Sequence, residues 1–597
     1  MNSRNNLQFS LRLQKLEIGN WKFDRTAKFP ISNFRFYILF IIFFQFTSLG
    51  IAQTGDWVWV KGAGGTLHDV SNSITTDLAG NVYVAGYYKS DTMDIGNIVL
   101  LNDSMSLPDI FIARYDASGN FIWAKRAGGT GSDIATSIVT DAVGNIYLTG
   151  TFNSSLIHFG NKTLSNTLAG SFDVFIAKYD SSGNVLWVKS TGGPNDDVAN
   201  NIVIDRNSNI YLTGYFASDS IAFGNKVLRN SGANSSDIFS VKMDSAGNTL
   251  WAKSAGGTDE DEGYGICVDK NFNVYVTGHF LSYTVSFGTA TLTNSYMNSD
   301  DIFIAKYDSS GSIIWVKKAG GINDDVSYGI CADVQGNIYV TGVFFSPTIS
   351  FDSISVNNVG GGDVFLAKYD SGGNVLWVKS GGGTDNDIGT SLTSDAGSNV
   401  YFTGYFKSTS FSFGADTLYN LGANSDDIFV IKLDSSGNML WDISAGGNQD
   451  DWGLSINSDV SNNIYITGAS YSSSINFGNM NLLHNHHDGR NTDIWLGKLD
   501  KVTGIMDENN FFSTLHLFPN PTLSQVTIDF AERGKIGNAE IEIYNTLGEK
   551  IKRVITGLDQ MMTEARVSID VSDLPSGVYI VQVKNENGVI VKKFIKE

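Results

Sequence analysis

Between residues 55 and 504 the chain is written in short apolar runs, each bounded by Gly, Asn, Asp or Ser. One stretch shows the pattern. DVANNIVID (Asp197–Asp205), NIYLTGYF (Asn209–Phe216), DIFSVKMD (Asp237–Asp244) and NTLWAKSAGG (Asn248–Gly257) alternate or cluster apolar residues as strands do. These four predicted strands are named A to D. A tight turn of the type DAVGN (Asp141–Asn145) joins A to B, and a connection of about twenty residues joins B to C. That connection carries phrases such as IAFGNKVL (Ile221–Leu228). Sustained 3.6-residue spacing is hard to find, so the fold class is all-β.

The pattern repeats. Its tryptophan recurs at Trp59, Trp123, Trp187, Trp251, Trp315, Trp377 and Trp441, spaced 64 residues apart except for one interval of 62. An acidic residue opens strand A at Asp69, Asp133, Asp197, Asp261, Asp325, Asp387 and Asp451. Four antiparallel strands repeated seven times predict a seven-bladed β-propeller. The array starts at Gly55-Asp56-Trp57-Val58-Trp59-Val60-Lys61, which matches Gly183-Asn184-Val185-Leu186-Trp187-Val188-Lys189. It ends at Asp493–Gly504, a strand C with no strand D after it. The N-terminal strand is therefore expected to close the last blade and leave no open edge.

The phrases Asn209-Ile210-Tyr211-Leu212-Thr213-Gly214, Asp237-Ile238-Phe239 and Asp244-Ser245-Ala246-Gly247-Asn248-Thr249-Leu250-Trp251 resemble the SBBP β-propeller repeat family. The resemblance implies the fold and is silent about biochemistry.

Both ends differ from the array. Residues 1–53 read as a leader and signal peptide. The apolar run lies within Phe34–Gln53 behind Arg35, and cleavage is expected near Ala52–Gln53. Its uninterrupted core, Phe36–Phe44, is short of the ~20 residues a membrane span needs, so no stable span is expected after cleavage. The propeller then covers 54–504, a linker 505–514, and a small β-sandwich of roughly seven strands 515–597. Pro519-Asn520-Pro521-Thr522, Ile543-Tyr544-Asn545, Leu574-Pro575-Ser576-Gly577-Val578-Tyr579 and Lys593-Phe594-Ile595-Lys596 resemble the type A C-terminal sorting domain of the type IX (Por) secretion system. This resemblance implies that residues 515–597 engage that machinery. It also implies a protein that is secreted or attached to the outer surface after signal-peptide export to the periplasm.

Composition narrows function. Sixty-one acidic against 41 basic residues give a formal charge of −20, which argues against nucleic acid as a partner. Cys267 and Cys331 hold equivalent positions in neighbouring repeats, too far apart for a disulfide, and read as small buried apolar residues.

Candidate chemistry is sparse. Asp180-Ser181-Ser182-Gly183-Asn184 has the residues of a calcium loop, and its spacing to Trp187 is similar to that in quinone-cofactor dehydrogenases. Its recurrence in every unit favours a hairpin turn. The D–A and B–C loops share one face of a propeller, so the ligand-binding face is placed at Asp69, Asp133, Asp197, Asp261, Asp325, Asp387 and Asp451. Two departures from the repeat are metal candidates. Asp259, Glu260, Asp261 and Glu262 would suit calcium, and His484, His486, His487 and Asp488 a transition metal. No catalytic residues and no cofactor beyond calcium are assigned. The expectation is an exported propeller that binds a glycan, protein or matrix component without catalysis. The alternatives are a structural element of the cell surface, a polysaccharide-cleaving propeller and a quinone-dependent dehydrogenase.

Overall fold

The computed structural model describes residues 57–104, 106–168, 170–422, 424–478, 480–484, 491–500, 515–518, 522–530, 539–545, 550–556, 566–585 and 588–596. The leader and the linker 505–514 lie outside them. Among the described residues every regular element is a strand, and no helix is long and apolar enough to cross a membrane.

The repeat region forms seven antiparallel sheets in the strand order A-B-C-D. In the third unit these are Asp197–Ile204, Ile210–Phe216, Asp237–Met243 and Thr249–Ala255. Strands B and C carry the apolar runs and are almost wholly buried, while D is half exposed. The seventh sheet takes Asp451–Ser458, Ile464–Ser470 and Asp493–Leu499 from the end of the array and Trp57–Ala63 from its start. The pairing expected from the two ends of the array is present: Val60 faces Gly497 and Ala63 faces Ile494.

Asp180-Ser181-Ser182-Gly183-Asn184 is the C–D hairpin turn. The Asp180 carboxylate accepts the backbone N–H groups of Ser182 and Asn184, each at 2.9 Å, and the Asn184 amide at 2.9 Å. Gly183 sits at φ +80°, where a side chain is strained. The tryptophan behind it ties sheet to sheet. The Trp187 indole donates to the Ser245 carbonyl at 3.3 Å in the next turn and meets Tyr147 edge-on at 6.4 Å. In the same way Trp59 of the seventh sheet reaches Ala117 of the first.

Strand A of each sheet lies against strand A of the next. Ile138 N–H donates to Ser73 Oγ at 3.2 Å, and Ile202 N–H to Ser137 Oγ at 3.3 Å. The first and last sheets are joined by the same bonds: Ile74 N–H donates to Ser455 Oγ at 3.2 Å and Thr76 Oγ1 to Asn457 at 3.0 Å.

The B–C connection differs from expectation. It is not a free loop but holds a further hairpin in every unit, such as Ser220–Phe223 with Lys226–Arg229. Alternation in IAFGNKVL buries Ile221 and Phe223, and Gly224 at φ +61° makes the turn. The hairpin stands beside strand D of the preceding sheet, through bridges such as Gly128 with His158. Twice it extends that sheet to six strands, at Ala319–Phe351 and Gly381–Phe413. The outer edge strand is thereby shielded.

The C-terminal region pairs Leu515–Phe518, Gln525–Phe530 and Arg566–Asp570 in one sheet. Lys550–Thr556, Ala539–Asn545, Gly577–Asn585 and Gly588–Lys596 form a second. Val526, Ile528, Ile541, Ile543, Val581 and Phe594 form its core.

Candidate ligand face on the loop side

The seven aspartates that open the A strands lie inside the protein. Each is fully buried and accepts a hydroxyl from the serine just past strand B, as Asp197 does from Ser218 at 2.9 Å and Asp133 from Ser154 at 2.7 Å. Backbone N–H groups fill the remaining acceptor sites, as Ser218 N–H does on Asp197 at 3.2 Å. Loss of hydration pushes these carboxyls up, to about 7 at Asp69, Asp261, Asp325, Asp387 and Asp451 and about 6 at Asp133 and Asp197. They pin loop to sheet. As first contacts for a ligand they are misplaced by one residue, because neighbours along a strand point to opposite faces. Beside the buried Asp261 and Asp325, it is Glu260 and Asp324 that are exposed.

The acidic quartet divides in the same way. Asp261 turns inward to Ser282, and Asp259 is exposed and takes the Thr258 hydroxyl at 3.0 Å. Glu262 accepts the Tyr264 phenol at 2.8 Å. Among the described residues no three metal-ligating side chains gather to hold an ion, so the quartet does not form the expected calcium site. His484 is buried with its Nδ1 3.7 Å from Asp493. His486, His487 and Asp488 lie outside the described residues. Cys267 and Cys331 are free.

What the fold assembles instead is a patch around the fourth unit. An open cavity of about 500 Å³ is lined by strand A residues of all seven units, among them Asn72, Thr136, Asn200, Tyr264, Tyr328 and Leu454. Small polar residues at this ring position bond to the neighbouring strand, as Asn72 does to the Ala135 carbonyl at 2.8 Å and Thr136 to Ala199 at 2.7 Å. Tyr264 and Tyr328 replace them with aromatic rings 5.3 Å apart. Tyr264 also packs on His279 at 5.4 Å, and His279 Nε2 lies 3.7 Å from Asp300. Burial, then the charges of Asp324 and Glu260, push Asp300 up to about 6. Burial raises Glu262 and lowers His279. In the B–C connection of the same unit Tyr283, Tyr296 and Met297 are 55%, 59% and 65% exposed. The sequence does carry a signal for two of them: Tyr264 and Tyr328 stand where the other units have Asn72, Thr136, Asn200, Thr390 and Leu454.

Residues 516–597 match the secretion system C-terminal sorting domain, and residues 122–157 and 186–215 match the beta-propeller repeat. The chain carries β-propeller repeats and a type IX secretion sorting domain. That domain implies contact with the secretion machinery and a secreted or surface location. An uncharacterised WD repeat-containing protein of Acanthamoeba polyphaga mimivirus is 24% identical over 517 residues, 72% of this chain and 37% of that protein. The regulatory protein FlaEY of Caulobacter vibrioides is 29% identical over 157 residues, 26% of this chain and 16% of that protein. This chain thus spans well under half the length of either relative. Among solved structures, a Synechocystis apocarotenoid oxygenase aligns at TM-score 0.28 and 10% identity, over 66% of this chain and 95% of its own. Dimeric latent PorU from Porphyromonas gingivalis aligns at TM-score 0.12 and 10% identity, over 89% and 34%.

Proposed function

We propose that the repeats form a closed seven-bladed propeller, exported by type IX secretion, which binds a glycan at the loop face of its fourth blade without catalysis. The bonds from Ile74 and Thr76 to Ser455 and Asn457 support closure. The observation that carries the binding reading is the pairing of Tyr264 with Tyr328, 5.3 Å apart at the cavity where the other units hold Asn, Thr or Leu, with Glu262 bonded to Tyr264 and with exposed Tyr283 and Tyr296 on the B–C connection of the same unit. Tyrosine rings stack on the apolar faces of sugars, and carboxylates accept their hydroxyls. The absence of Lys and Arg from 259–264, 279–283 and 293–301 favours a neutral or amino-sugar polymer over an acidic one.

A glycan array probed with the intact chain tests this reading. Binding to neutral or amino-sugar polymers is expected, with about a 10-fold loss for Tyr283→Ala combined with Tyr296→Ala, roughly 0.7 kcal/mol per ring. Undiminished binding by the double variant, at unchanged melting temperature, would move the site elsewhere. A polysaccharide-cleaving reading draws on one observation, the His279–Asp300 pair with a carboxyl at about 6. Sugar release that disappears in Asp300→Asn would favour it over binding alone.

A further inference from the structure

Three strands of the fourth unit carry a row of ionisable side chains on one face. Glu262 of strand A is the cross-strand partner of His279 of strand B, and His279 is in turn the partner of Ile302 of strand C. Asp300 precedes Ile302 by two residues and so projects from the same face, where its Oδ1 lies 3.7 Å from His279 Nε2. Other units supply the comparison. The same row holds Val70, Tyr87 and Pro108 in the first unit and Val326, Val343 and Gly362 in the fifth. No other unit has an acid or an imidazole at the strand A or strand B position.

The row offers acceptors and lacks donors for them. Burial lowers His279 and keeps its ring neutral. Its Nε2 faces the Asp300 carboxylate and so holds the ring proton, which leaves Nδ1 a bare lone pair. The side chain is only 11% exposed, and Nδ1 is buried with no hydrogen-bond partner. Asp300 is raised by burial and then by the like charges of Asp324 and Glu260, with no hydrogen bond to offset them. The Tyr264 phenol is spent on Glu262 at 2.8 Å. Neither Lys nor Arg occurs in 259–264, 279–283, 293–301 or 322–328. A buried acceptor without a donor and acids without a counter-charge both ask for a cationic N–H group. The rings of Tyr264 and Tyr328, 5.3 Å apart, add π faces that attract a cation as well as a sugar ring.

We propose that Glu262, His279 and Asp300 form an ammonium pocket, and that the polymer bound at the fourth blade is a deacetylated hexosamine. A primary ammonium brings three N–H donors and a positive charge to two carboxylates and one imidazole nitrogen. The sugar ring that carries it is the partner of the tyrosine pair. An N-acetylated sugar has one amide N–H and no charge, and leaves acceptors of the row unpaired. The inference rests on the glycan reading and narrows it from neutral or amino sugars to the cationic kind.

The test titrates a glucosamine hexamer and an N-acetylglucosamine hexamer into the intact chain by calorimetry near pH 6.5. The glucosamine hexamer is expected to bind about 10-fold more tightly, with an advantage that shrinks as salt is added. Asp300→Asn should cut the ratio of the two affinities by about 5-fold or more at unchanged melting temperature. Glu260→Gln, which alters an exposed acid and spares the packed row, should cut it less and in the same direction. Equal binding of the two hexamers, or tighter binding of the acetylated one, overturns the ammonium pocket and leaves the glycan reading standing. Binding of neither overturns both. An unchanged ratio in both folded variants also overturns the pocket. A lysine hexapeptide that displaces the glucosamine hexamer at lower concentration would assign the row to a peptide ammonium and overturn the sugar.

Discussion

Replacing Trp57 by alanine tests whether the two ends of the array truly share one sheet. Trp57 is 5% exposed, edge-on to Phe477 at 4.8 Å and to Trp495 at 6.0 Å. Its cluster also includes Tyr401, Ile428 and Trp441 of the preceding sheet. A buried indole removes about 200 Å² from water, which at ~25 cal/mol per Å² is about 5 kcal/mol as an upper bound. Partial collapse around the alanine brings the expected loss to about 3–5 kcal/mol. The opposite strand is fitted to this ring. Strand C has Ala113, Ala177 or Ala305 where the seventh sheet has Gly497, and a Cβ there would come within 2.5 Å of the Trp57 indole. Val58, one residue along and 48% exposed, is the control; Val58→Ala should cost less than about 0.5 kcal/mol. Denaturant melts followed by circular dichroism report both variants. Equal shifts for Trp57→Ala and Val58→Ala would refute the packing of this strand and, with it, the argument for closure.

Two further outcomes follow from the buried and turn residues. Asp69 and Asp387 are raised by burial from 3.8 to about 7, so they favour the fold fully below 3.8 and lose that contribution as pH climbs to about 7. Asp116, lowered by the hydrogen bond from Asn120, acts oppositely and favours the fold only above its own low range. The protein should therefore melt highest near pH 4–5 and lower at pH 8; a flat or rising profile across that interval would count against the buried carboxyls. Gly183→Ala forces a side chain to φ +80° and brings its Cβ to 2.9 Å from Lys125, for an expected loss of about 1–2 kcal/mol in a denaturant melt. Ser182→Ala, exposed in the same turn, should leave the midpoint within about 0.5 kcal/mol.

Much of the architecture is readable from residues close together in the chain. Alternation and Asp-x-x-Gly-Asn turns mark strands and hairpins, because the hydrogen bonds of Asp180 within the turn reach no further than Asn184. The 64-residue spacing marks the unit, and the matching half-hairpins at Trp57 and Asp493 predict the pairing found there. The B–C hairpin was equally local in IAFGNKVL, but its place beside the preceding strand D is a contact between units.

The direction of each carboxylate was not readable. Asp261 and Glu260 are neighbours in sequence, yet one is buried on Ser282, 21 residues away, and the other is exposed. Likewise, Tyr264, His279, Asp300 and Tyr328 meet only because segments far apart in sequence, from two units, are packed together. The sequence alone determined the strands, their turns and their period, since those depend on local dihedral preference and alternation. Only the tertiary structure decided which acids face solvent and which face each other, since strand register and the packing of one sheet on the next choose a side chain's partners.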